Sequence, residues 1–275
     1  MRLATFNILH GQRLDRPSSE RPATSGAELA AAIAELDADV IGLQEVDVHQ
    51  PRSGRVHQPD VVAKTIGAPW WRFVPTVVGT PGGVGGFKPA DDSVRAASAE
   101  GLGVGERYGI ALISKLPVIA WHVQVFASAP MSLPLLVQSG GRARFARVRD
   151  EPRAAIAVTL AGRDGPITVA TAHLSFVPGY NITQLMRLKA WLAELPRPLV
   201  LMGDFNLPGT IPSRVTRWPS VAQQPTYPSY NPRTQFDHIL VDGAANPVLA
   251  AARQRTAAIS LPVSDHCALR TDIDL

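Results

Sequence analysis

Apolar and polar positions along the chain alternate between two kinds of block. Short apolar runs bounded by turn residues occupy 2–9, 40–46, 108–114, 117–126, 153–160, 167–173, 198–203 and 236–241. Runs of this length and type predict buried strands. A second kind of block has helical period. Leu29, Ile33 and Leu36 recur on one face of 27–36, with Ser25 placed as an N-cap, and Leu185, Leu188 and Leu192 do the same in 181–195. A shorter helix is expected at 60–66, an extended segment at 70–78, a further strand at 248–253 and a final strand within 263–275.

The intervening segments are of three sorts. Gly162-Arg163-Asp164-Gly165 suits the turn of a hairpin joining 153–160 to 167–173. Residues 13–25 are polar and rich in Pro and Ser, which predicts a loop after a turn at Gly11. Residues 79–105 are glycine-rich without a clear period and read as a long mobile loop, and 127–152 read as a second insertion. No repeat and no composition break divides the chain, so 1–275 is expected to form one domain. Many strands with a few interspersed helices suggest two sheets packed face to face with helices outside.

Composition narrows the class without choosing a function. The chain has 275 residues, 45% of them hydrophobic, which is enough for a large core, while 24 Pro and 22 Gly imply many connecting loops. The net charge of +4 is mild and does not by itself indicate a nucleic-acid partner. Cys267, the single cysteine, cannot form an internal disulfide and reads as a small packed residue. Met1-Arg2 leads directly into Leu3-Ala4-Thr5-Phe6-Asn7 without a leader-like apolar region, and no run is long enough to span a bilayer. A soluble cytoplasmic protein is the expectation. Oligomeric state is left open.

Chemistry enters where polar residues follow apolar runs. Thr5-Phe6-Asn7, Gly42-Leu43-Gln44-Glu45, Thr171-Ala172-His173-Leu174, Gly203-Asp204-Phe205-Asn206 and Ser264-Asp265-His266 all do so, and Phe236-Asp237-His238-Ile239 sets an acid inside an apolar run. A buried acid needs a partner or a metal. Carboxylates and an amide converging from separate strand ends make an oxygen-rich cage, which suits Mg²⁺, whereas the lack of thiolates disfavours structural zinc.

In this order the segments resemble the motif series of the endonuclease/exonuclease/phosphatase superfamily, from Asn7 to His266. Gly-Asp-Phe-Asn and the C-terminal Ser-Asp-His are the strongest of them. The resemblance implies a four-layer α/β/β/α sandwich of two mainly antiparallel sheets with outer helices. It also implies a Mg²⁺-dependent hydrolase, with Mn²⁺ as a substitute, acting on a phosphate ester, nucleic acid being one candidate. Residue by residue, it makes Glu45 the principal metal ligand with Asn7 beside it, and Asp265 a ligand of the same or a second metal. Asp204 orients or deprotonates the attacking water, and Asn206 bonds a phosphate oxygen. His266, fixed by Asp237, stabilises developing charge. His173 is a second active-site histidine, supported by Glu106 of Glu106-Arg107-Tyr108. Tyr108 lines the phosphate pocket, and Arg153 is a further phosphate-binding candidate.

Blander readings stand beside these. Asn7 and Asp204 also suit ordinary strand-end turns, and either histidine suits a satisfied core position. Arg142, Arg144, Arg147 and Arg149 read as a solvated charge run diluted by Asp150 and Glu151. His10, next to the first motif, is only a weak candidate for substrate contact. Val46-Asp47 after Gln44-Glu45 departs from the abasic-site branch, which makes that repair activity a poorer fit. Three functions remain open: a nuclease or general phosphodiesterase; a phosphatase or phospholipase with apolar tips at Phe87 or 131–136; and a catalytically silent binding module. Fold alone cannot choose among them.

Overall fold

In the computed structural model, residues 1–13, 25–81, 86–99, 105–139 and 142–275 are described. Most of the expected loop at 13–25, and parts of the two expected insertions, therefore lie outside the described residues.

The larger sheet has seven strands in the order β13-β14-β1-β2-β5-β3-β4. They are β1 (Arg2–Asn7), β2 (Val40–Val48), β3 (Trp70–Gly79), β4 (Phe87–Pro89), β5 (Arg107–Ser114), β13 (Ala257–Ile259) and β14 (Ala268–Asp272). The smaller sheet runs β12-β11-β10-β9-β6. Its strands are β6 (Val118–Phe126), β9 (Arg153–Gly162), β10 (Gly165–His173), β11 (Leu199–Asp204) and β12 (Asp237–Asp242). Pairing is antiparallel throughout both sheets except for β1 with β2 and β10 with β11.

Side-chain alternation explains the layering. Leu3, Val40 and Leu112 from the larger sheet meet Ile156, Val158, Val200 and Met202 from the smaller one in a fully buried layer between them. Their neighbours in sequence point outward. Ala4, Ile41 and Leu43 pack under α1 (Gly26–Ala34) and α2 (Gln58–Ile66). Ala155, Ala157 and Leu201 pack under α4 (Tyr180–Leu192) through Leu185, Leu188 and Leu192. Strands buried on both faces read as continuous apolar runs, which is why the period of two was weak in the sequence. The result is the expected four-layer arrangement. Ser25 caps α1 in a capping box: its Oγ accepts from Glu28 N at 3.3 Å, and its own N–H donates to Glu28 Oε2 at 3.0 Å.

Three expectations need correction. Residues 248–253 lie within a helix, α6 (Asn246–Gln254), because Leu249 and Ala252 bury one face at helical spacing. The segment 79–105 holds β4 and a helix, α3 (Asp92–Ala99). The segment 127–152 contains a separate two-stranded sheet, β7 (Ser132–Ser139) with β8 (Arg142–Arg149).

Topology then gathers the chemistry at one end. Parallel pairing sets Asn7 beside Gln44 and His173 beside Asp204, and antiparallel pairing sets Asp237 opposite Asp204. Gly203 is required just before Asp204: its φ is +148°, and a Cβ there would fall 2.0 Å from Ala172 O. We expect Gly203→Ala to destabilise the protein by about 2–3 kcal/mol through overpacking of backbone against backbone, as read by urea denaturation.

Candidate active site

Glu45 reaches the site because β2 is irregular there. Its pairing with β5 skips between Leu43 and Val46, and Glu45 has φ +56°. Such a bulge re-aims a side chain that regular alternation would send toward the outer helices. Asn7, buried at the end of β1, then joins the two sheets: its Nδ2 donates to Glu45 Oε1 at 3.0 Å and to Asp204 Oδ2 at 2.9 Å. Its Oδ1 accepts from Leu9 N at 3.1 Å, which fixes the side chain.

The remaining groups form a charged chain around Asp204. Asp204 Oδ1 accepts from Asn206 N at 2.9 Å. Its Oδ2 lies 3.6 Å from His173 Nε2 and 3.8 Å from His266 Nε2. His266 Nδ1 bonds Asp237 Oδ2 at 2.8 Å, as expected from sequence. Burial works against charge on His266, but Asp237, Asp204 and Asp265 outweigh it and push its pKa up to about 10. The ring is therefore an imidazolium at neutral pH. Burial and the proximity of Asp265 raise Glu45 to about 7, with Asn7 and His266 pulling the other way. Burial likewise raises Asp204, while His266 opposes it.

His173 is different. Burial first, then Arg153 and His266, lower its pKa well below the usual imidazole value, so it stays neutral. Its neighbour is Arg153, whose Nη1 lies 3.0 Å from His173 Nδ1 and 3.1 Å from Nε2. The expected support from Glu106 does not form. Glu106 precedes β5 with its side chain partly in solvent, and its ion pair is with Arg55 at 4.0 Å. Asp150 and Glu151, read from sequence only as diluting the arginine run before them, are buried and pair with Arg153 at 3.2 and 3.0 Å. Asp150 also accepts from Ala129 N at 2.7 Å and Ser175 Oγ at 2.8 Å. The signal available in sequence was the i,i+3 spacing of Asp150 and Arg153 at the start of an apolar run. Arg52 was also missed; it makes two 2.8 Å bonds to buried Asp47 and sits 5.4 Å over the Tyr108 ring.

These groups share one cavity of about 1150 Å³. Glu45, Tyr108, Arg153, His173, Asp204, Asn206, Asp265 and His266 all line it, as does His10. Asn7 and Asp237 stand behind them, bonded to lining residues. Ligand atoms of Asp204, Asp237 and His266 lie within 4.8 Å of one another, compact enough for a metal ion. The 2.8 Å bond already joins two of those three, however, and His266 is cationic. Glu45 and Asp265 offer a better donor pair: both are carboxylates, and a bound cation would offset the burial and the mutual repulsion that raise Glu45. Hard divalent cations such as Mg²⁺ or Mn²⁺ fit such donors. Asn7, expected as a further ligand, instead turns its amide nitrogen to Glu45 and Asp204 and its oxygen to Leu9 N, so it holds the carboxylates in place.

The profile of the Endonuclease/Exonuclease/phosphatase family matches residues 4–266. No curated protein sequence matches the chain. Among solved structures, an endonuclease/exonuclease/phosphatase from Beutenbergia cavernae DSM 12333 superposes with a TM-score of 0.63 at 21% identity, covering 100% of this chain and 71% of that one. The mannosyl-6-phosphatase Bt3783 of Bacteroides thetaiotaomicron gives 0.57 at 15% identity over 100% of both chains. Sphingomyelinase C from Streptomyces griseocarneus gives 0.54 at 14% identity over 98% of both. At these identities the likeness is one of fold.

The Asp237–His266 bond generates a pH prediction. His266 has a folded pKa of about 10 against 6.5 for the free group, so its stabilisation is complete below pH 6.5 and is lost as pH rises through 10. In Asp237→Asn the pKa should fall by about 1–3 units, the worth of an adjacent opposite charge. The His266 ring resonances, followed by NMR titration, should show this. An unchanged midpoint would refute the assignment.

Proposed function

The chain belongs to the endonuclease/exonuclease/phosphatase family, whose members are phosphoester hydrolases, and from that premise we propose that it cleaves a phosphodiester by attack of water, with Mg²⁺ or Mn²⁺ bound at Glu45 and Asp265. The observation that carries this reading is the meeting of a held imidazolium with the carboxylates of Glu45, Asp204 and Asp265 on one cavity wall. When bound, the cation supplies positive charge to a phosphate oxygen and so lowers the barrier to an anionic nucleophile.

The chain's own groups do the rest. Asp204 orients the water and takes its proton; Asn206 N and the Asn7 amide hold both carboxylate oxygens in place. Its raised pKa makes it a better proton acceptor than an ordinary aspartate. His266 turns Nε2–H toward the ester because Asp237 holds Nδ1, and it stabilises charge developing on phosphorus-bound oxygen. His173 stays neutral beside Asn206, whose amide is set by Leu174 O at 3.0 Å. Tyr108 lines the pocket, and Arg153, anchored by Asp150 and Glu151, presents a fixed guanidinium to the phosphate.

Hydrolysis of a phosphomonoester or a lipid headgroup ester is the second reading. Phe87 and Phe176 give the cavity an apolar side, and Met131 on the neighbouring segment is 53% exposed.

A substrate panel with Mg²⁺ or Mn²⁺ tests both: bis-p-nitrophenyl phosphate, DNA, RNA, sphingomyelin and inositol phosphates. Diester turnover should vanish with chelator. Glu45→Gln should lower kcat/KM by about 100-fold or more and leave the melting temperature unchanged or higher, since it removes a carboxylate that the fold already strains. Full activity in chelator would overturn the reading.

A further inference from the structure

Four arginines line the cavity: Arg52, Arg147, Arg149 and Arg153. Two are committed. Arg52 is held by Asp47, and Arg153 by Asp150 and Glu151. Arg147 and Arg149 are not: both are exposed, and neither has an ion pair among the described residues. The two acids that sequence alone offered as their neutralising neighbours, Asp150 and Glu151, turn inward to Arg153.

Geometry keeps this pair free. Arg147 and Arg149 are two residues apart on β8, so they share one face about 7 Å apart. Across the ladder stand Pro134 and Ser132, which bring no negative charge. The Arg149 guanidinium lies 5.7 Å over the ring of Phe87, which also lines the cavity. Such stacking orients a guanidinium while leaving its edge N–H groups open. Within the cavity His266 already faces Glu45, Asp204 and Asp265, and Arg52 and Arg153 are held by their own acids, so Arg147 and Arg149 are the lining cations left for a second negative group.

We propose that Arg147 and Arg149 form a second anion subsite, and that the substrate carries a phosphate beyond the ester that is cleaved. This rests on the hydrolase reading above and narrows it to esters bearing at least two phosphates.

Two readouts test it. Thymidine 5′-(p-nitrophenyl phosphate) and its 3′-phosphorylated counterpart share one scissile bond and differ by the second phosphate. The intact protein should prefer the latter in kcat/KM, and R147Q/R149Q should reduce that ratio by about 10- to 100-fold, the worth of one or two charge-assisted bonds. Arg163→Gln, in the distant turn between β9 and β10, should leave the ratio alone. Calorimetry reads the same subsite without turnover: thymidine 3′,5′-bisphosphate should bind more tightly than thymidine 5′-phosphate, and the double variant should abolish the difference. A binding preference without hydrolysis of either ester would support the subsite and sink the hydrolase reading. Equal binding of the two nucleotides to the intact protein, or a preference that survives in R147Q/R149Q, would overturn the subsite. Where the preference holds, a single-stranded oligonucleotide competing better than the bisphosphate identifies a strand as the source of the second phosphate; equal competition identifies a small ester.

Discussion

The hydrogen bond from His266 to Asp237 sets the charge state of everything around it. A protonated imidazole buried this deeply is unfavourable on its own, and Asp237, itself fully buried, is what makes it tolerable. With that cation fixed, Asp204 can remain an acid in an apolar interior, and Glu45 can lie near Asp265 without both being neutralised. Asn7 completes the arrangement by donating one amide group to carboxylates on two sheets. Remove the pair and only neutral donors, Asn7 and Asn206 N, are left bonded to Glu45 and Asp204.

That dependence explains what the sandwich is for. Each sheet contains one parallel pair, β1 with β2 and β10 with β11, and each pair delivers polar residues at the same end. The sheets approach closely there: a Cβ on Gly42 would fall 2.4 Å from Thr171 Oγ1. Gln44 Nε2 spans the gap, donating to Thr171 Oγ1 at 2.8 Å and to Thr5 Oγ1 at 3.1 Å. Small and polar residues thus replace the apolar filling just beneath the site, so Asn7 and Asp204 come within bonding distance.

Much of this was legible in the sequence, for a physical reason. Strand-end Asn7, Glu45, Asp204, Asp237 and His266 each interrupt or end an apolar run, and that contrast marks them. The inner network was not legible. Asp150 and Glu151 follow a run of arginines, and only tertiary folding shows that they face Arg153 rather than water. Glu106 misled because it adjoins Arg107-Tyr108 in sequence, yet it precedes the strand that carries Tyr108 inward. The hairpin of β7 and β8 was hidden for another reason: Arg142, Arg144, Arg147 and Arg149 make its second strand read as a charge run rather than an apolar one. Helix α6 is only nine residues long, too short for its period to be separated from that of a strand.

The position of β1 bears on how the molecule is made. It lies between β2, which follows it within a few dozen residues, and β14, which follows it by more than two hundred. During synthesis one edge of β1 must therefore wait, with open N–H and C=O groups, until residues 268–272 leave the ribosome. An open strand edge invites pairing with other chains. His266 arrives just before β14, so Glu45 and Asp204 are both synthesised before the residue that supplies their cation. Closure of this side of β1 and completion of the site's charge balance thus depend on one stretch of chain.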